Sequence, residues 1–119
     1  MAKRNNLIQD KTFNFSLMII ELYKKLIAKK EFVISKQLLK SSTSIGANVE
    51  EALAGQTKKD FIAKMSIASK ESRETSYWLR LLQASNLVNL SYGKYLSEIN
   101  EIINILTAIV KTSQQKANS

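Results

Sequence analysis

Histidine and cysteine are both missing from this 119-residue chain. Without cysteine there is no disulfide, no thiolate metal site and no thiol nucleophile. Without histidine the commonest general base and the commonest metal ligand are gone as well. Proline is also absent and glycine occurs only at positions 46, 55 and 93. So few enforced breaks favour long helices. No apolar run approaches the roughly 20 residues that span a bilayer. The opening MAKRNNLIQD has two basic residues but no apolar core after them, which is not a signal-peptide pattern, so the expected location is cytoplasmic.

What is abundant is positive charge. Eighteen Lys and Arg oppose ten Asp and Glu, a net charge of +8. Such a balance attracts anionic partners, nucleic acid above all; the plainer reading is a solvated basic surface. A hydrophobic content of 45% suffices for a buried core, and the length suits one domain.

The apolar spacing predicts four helices, at about 11–30, 36–54, 58–85 and 92–112, joined by short connections. That is an all-α, antiparallel up-down-up-down four-helix bundle filling residues 1–119. Asp10, Ser35, Thr57 and Ser91 are the expected N-caps, Thr57 with Asp60 as a short capping box. Gly55 and Asn86 are expected to end the second and third helices. Met1 to Gln9 reads as a loosely held leader and Ser113 to Ser119 as a polar tail.

The first helix is apolar on most of its circumference: Phe13, Phe15, Leu17, Met18, Ile19, Ile20, Leu22, Tyr23, Leu26 and Ile27. A surface helix of a monomer needs only one stripe. A small bundle has no central helix, so the second apolar face implies another subunit.

The second helix holds the unusual stretch Ser41–Gly55. Ile45, Val49, Ala52 and Leu53 form an apolar stripe, with Ser41, Ser44, Asn48, Glu51 and Gly55 beside it. Gly46 lies within this stretch; it reads either as close approach by a neighbour or as a tolerated glycine. On the third helix Glu71 and Glu74 share a face. Paired carboxylates can bind Mg²⁺ or perform acid–base chemistry. No histidine, phosphate loop or nucleophile accompanies them, so no cofactor or metal is expected. The favoured role for Ser44, Asn48, Glu51, Glu71 and Glu74 is structural. Glu71 is expected to accept from the hydroxyls of Ser41–Ser44, its charge offset by Arg73 or Lys40.

The topology gathers Lys24, Lys25, Lys29, Lys30, Lys36 and Lys40, with Arg80 and Lys94, at the end that carries the first and third connections. These are the candidate nucleic-acid-binding residues, with Tyr23 and Phe32 nearby to stack on bases or simply to pack. A second group, among it Lys3, Arg4, Lys11, Lys58, Lys59, Lys64, Lys111 and Lys116, lies at the other end and is diluted by Asp10, Glu50, Glu51 and Asp60.

Two motifs carry a family resemblance: Ser42–Glu51, reading STSIGANVEE, and the later run of Phe61, Ile67-Ala68 and Glu74–Leu79. Together they resemble the four-helix bundle family encoded in intervening sequences of bacterial 23S ribosomal RNA genes, also labelled a ribosomal protein family. That family often reads S-I-x-x-N-I-A-E-G. Asn48 and Glu51 match it, while Ala52 stands where glycine is usual. Lys70-Glu71 stands where the family often has glycine-serine. The resemblance implies a funnel- or barrel-shaped homopentamer. It is similar also to the accessory protein of diversity-generating retroelements, which binds nucleic acid and a reverse transcriptase. The function expected is non-catalytic: a homo-oligomer that binds RNA or DNA, or else a purely structural or protein-interaction scaffold with an unidentified protein partner.

Overall fold

The computed structural model describes residues 3–118. Four helices follow one another: α1 (Lys3–Ala28), α2 (Ile34–Ala54), α3 (Lys58–Ser85) and α4 (Gly93–Ala117). They form an all-α rod of 50 × 22 × 22 Å. Helix α1 lies beside α2 and α4, and α3 beside the same two, whereas the backbones of the diagonal pairs stay further apart. Contacts between α2 and α3 run in opposite senses along the two helices, Ser41 meeting Thr75 and Glu51 meeting Lys64. Helices α1 and α2 do the same, with Gln9 on Glu50 and Thr12 beside Gly46. Both pairs are therefore antiparallel.

The core follows the helical period. From α1 come Ile8, Phe15, Ile19, Leu22 and Leu26, and from α4 Tyr95, Ile99, Ile102, Leu106 and Ile109. Spacings of three, four and seven residues put each set on one stripe. Where α2 meets α3 the buried residues are smaller and more polar: Ser41, Ser42, Ser72, Thr75 and Ser76. Small side chains let two helices approach closely, and each hydroxyl must then find a partner. Most bond to a carbonyl of their own helix. Ser41 and Thr75 also bond to each other, 2.8 Å apart.

Several helix ends differ from the sequence reading. Helix α1 begins at Lys3, so Asp10 is an interior residue and not a cap. The extra two turns bury Ile8 completely, and that contact outweighs a local capping signal. Helix α4 continues through Ala117, so most of the expected polar tail is helical; Ser119 lies outside the described residues. Ser35 and Ser91 cap nothing. The residue before α2 is Val33 and that before α4 is Tyr92, neither with a side-chain cap. Thr57 does cap α3, accepting from the Asp60 N–H at 3.0 Å. Asn86 ends α3 in the left-handed region, as expected of a residue that tolerates it. Gly55 follows α2 in an extended conformation that any residue adopts.

At Gly46 an added Cβ would lie 3.5 Å from the Thr12 carbonyl, an ordinary van der Waals distance. Helix α1 does pass close by, but the site does not require glycine.

Candidate functional site

The end of the rod that carries the α1–α2 and α3–α4 connections is built around Glu31. Helix α1 closes in a Schellman turn. The Glu31 N–H donates to the Leu26 carbonyl (3.0 Å) and the Lys30 N–H to that of Ile27 (2.9 Å). Lys30 occupies the left-handed position of this turn, φ 64°, where glycine is usual. The turn swings the Glu31 side chain onto the start of α2. There its carboxylate accepts from the N–H groups of Val33 (3.1 Å), Ile34 (2.9 Å) and Ser35 (2.6 Å). The Ser35 hydroxyl returns a bond to the Glu31 carbonyl at 2.7 Å.

Glu31 is thus the N-terminal cap of α2, and it is only 8% exposed. Burial alone would raise its pKa, but the three backbone donors outweigh burial and hold it below the ordinary carboxylate value. Tyr92, at the start of α4, donates to the Val88 carbonyl (2.9 Å), and its phenol is pushed up by burial and then by the Glu31 charge. The two connections are therefore in electrostatic contact.

Because the Glu31 carboxylate faces inward, the surface around it is basic and apolar. Phe32, Val33 and Leu87 are 60%, 74% and 57% exposed. With Lys29, Lys30 and the largely buried Glu31 they line a cleft of about 240 Å³ between the two connections, floored by Val88. A second cleft, about 280 Å³, lies beside it between α1 and the start of α4, lined by Lys25, Ser91 and Lys94 above Leu22 and Tyr95. The Lys94 ammonium stands 5.1 Å from the Tyr95 ring centroid.

The six lysines singled out from sequence separate into two sets. Lys25, Lys29 and Lys30 line these clefts. Lys24 stands exposed and pairs with Glu21 at 3.0 Å. Lys36 and Lys40 are exposed one turn apart on α2. At the opposite end, the side chains of Lys3 and Arg4 lie outside the described residues. Lys11 there is engaged by Glu98 (2.6 Å) and Glu101 (2.8 Å), whose hydrogen bonds raise its pKa. Lys64 pairs with Glu51 at 2.8 Å.

The polar motif is also dispersed. Asn48 donates to the Ser44 carbonyl of its own helix (2.9 Å), Glu51 holds Lys64, and Glu74 accepts from the Trp78 indole at 3.2 Å. Glu71 does not accept from Ser41–Ser44. The Ser41 hydroxyl meets Thr75 instead, one turn further along α3. Burial, and then the Glu74 charge, raise the Glu71 carboxyl; Lys70 and Lys40 partly offset this. Arg73 turns to α4, where it donates to the Thr107 hydroxyl (3.0 Å). Among the described residues no group of three or more Asp and Glu is placed to hold a metal ion.

The 23S rRNA-intervening sequence protein family matches residues 4–108. The chain belongs to that family. Its fold is similar to the crystal structure of a protein of unknown function from the S23 ribosomal protein family of Bacteroides thetaiotaomicron. The two are 44% identical, with 91% of this chain and 98% of that one covered, at a TM-score of 0.84. No curated protein matches the sequence.

In this family member, Val33, Leu87 and the cap role of Glu31 were not legible from sequence. The signal for Glu31 was local: an acid three residues ahead of the α2 start. The clefts join segments more than fifty residues apart, Phe32 and Leu87, which no local pattern links. Among the described residues no helix is long and apolar enough to cross a membrane.

Proposed function

We propose that the protein is a non-catalytic, self-assembling bundle that binds RNA or DNA through its α1–α2/α3–α4 end. The observation that carries this reading is the exposed lysine set Lys25, Lys29, Lys30 and Lys94 around two adjacent clefts, in which the Glu31 carboxylate is taken up by the backbone N–H groups of α2. A polyanion gains from many such charges at once, and binding of this kind is salt-sensitive and weakly sequence-specific. The location that suits such a partner is the cytoplasm.

Self-assembly is supported by α1. Phe13 and Leu17 are 61% and 50% exposed on the side of the helix opposite Phe15, Ile19 and Leu22. Half-buried Ile20 continues this apolar stripe, of a kind that marks interaction surfaces. We take the assembly to be a pentamer, as the family resemblance implies. In a ring, the basic end would repeat around one rim.

The test has two arms. Light scattering at micromolar concentration should give a mass near five chains, falling to that of one chain for the Leu17→Asp variant; a monomeric wild type removes the assembly. Fluorescence anisotropy with labelled RNA and DNA at low salt should show binding that is weakened on Lys25→Gln/Lys29→Gln/Lys30→Gln and kept on Lys58→Gln/Lys59→Gln/Lys111→Gln at the far end. Absence of binding at low salt favours the second reading, a protein-interaction scaffold, to which the Phe13–Leu17 stripe alone would point.

A further inference from the structure

We infer that the basic end is shaped for single-stranded nucleic acid, with one unstacked base held against Phe32 and the strand's phosphates led along Lys30, Lys29 and Lys25. This rests on the nucleic-acid reading and specifies its ligand class.

Phosphate contacts alone do not need an apolar cleft. Here the Phe32 ring stands exposed beside Val33 and Leu87, in a cleft that Lys29 and Lys30 also line. Exposed aromatics interleaved with cations are how proteins take bases that have left a stack, because every base has a π-face. In a duplex those faces are covered by neighbouring pairs, so a duplex can use the lysines but not the cleft.

The two clefts also follow one another. Lys25 belongs to one and Lys29 to the other; Lys25 is in the last turn of α1 and Lys29 just past its end, four residues on and about 6 Å away by the helical rise. Ser91 and Lys94 continue the line at the start of α4. The result is a track with an apolar seat at one end, matching an extended strand better than a compact ligand.

Lys30, at the left-handed position of the turn that ends α1, stands at the rim of the Phe32 cleft. A peptide partner with an apolar side chain and a few carboxylates would also fit the cleft, but it would leave most of the lysine track unmatched.

The experiment compares a 20-nucleotide labelled single strand with the duplex of the same sequence by anisotropy, for the wild type and for Phe32→Ala. A single strand carrying 2-aminopurine reports base stacking directly. Phe32 packs little, so circular dichroism and melting should leave the variant indistinguishable from wild type. The expected result is at least ten-fold tighter binding of the single strand. Phe32→Ala should lose roughly ten-fold on the single strand, with the 2-aminopurine signal abolished and duplex affinity unchanged. Equal affinity for strand and duplex, with Phe32→Ala neutral, overturns the inference while the basic-end reading stands. Binding of neither nucleic acid overturns the reading itself. A Phe32→Ala variant that weakens only self-association assigns the cleft to protein contact and likewise overturns the inference.

Discussion

The hydroxyls of Ser41 and Thr75 meet at 2.8 Å in the buried seam between α2 and α3. Each hydroxyl also lies within bonding distance of a carbonyl of its own helix, Ser41 of Leu38 (3.3 Å) and Thr75 of Glu71 (2.9 Å), so either can supply the proton shared across the seam. This bond ties the helix bearing the STSIGANVEE motif to the helix bearing the second family motif.

Removing one hydroxyl leaves the other without its cross-helix partner. Ser41→Ala and Thr75→Val should each lower stability by about 1 kcal/mol. The double variant should lose less than the sum, with a coupling of roughly 0.5 to 1.5 kcal/mol. Urea unfolding of the four proteins measures this, and strict additivity would show that the bond contributes nothing.

Glu31 should be among the most sensitive positions outside the apolar core. Glu31→Ala removes the acceptor for three N–H groups at a buried helix start, and the loss should be about 2 kcal/mol. The sign with pH follows from its lowered pKa. A carboxyl depressed in the folded state stabilises above its unfolded value, near 4.5, and loses that contribution as pH falls through the folded value. Wild-type stability should therefore fall on acidification below about pH 4.5, and Glu31→Gln should flatten that part of the curve. Thermal melts across the acid range check this.

Glu71 should behave oppositely. Its folded carboxyl is raised by burial and by Glu74, so the stability it contributes is present at low pH and lost as pH rises through the folded value. Glu71→Gln should raise the melting temperature at pH 7 and leave it nearly unchanged at pH 4. A loss of stability at pH 7 would mean that the charge is needed, as in metal binding, and melting with and without EDTA would then separate the two.

Gly46→Ala should stabilise the protein by up to about 1 kcal/mol, since a Cβ fits at 3.5 Å and alanine is the better helix former. A drop in melting temperature would indicate a closer approach of α1 than ordinary contact.

The four helices were legible because their buried residues recur at the helical period with few interruptions. Ile99, Ile102, Leu106 and Ile109 leave little choice of face. The ends were less legible because tertiary contact decides them. Ile8 draws α1 two turns past Asp10, and the Schellman turn at Lys30 delivers Glu31 to a role that Ser35 would fill in an isolated peptide. The basic end was visible as a cluster of lysines. Which of them share a cleft depends on two connections meeting in space, so Lys24, Lys36 and Lys40 could not be separated from Lys25, Lys29 and Lys30 by sequence.

The central claim is that the clustered lysines engage phosphates, and the salt dependence of binding tests it most directly. The slope of log affinity against log salt for a labelled single strand should shrink by roughly 2 between wild type and the Lys25→Gln/Lys29→Gln/Lys30→Gln variant, about 0.7 for each phosphate that no longer meets a lysine. An unchanged slope with the three lysines neutralised would contradict the account.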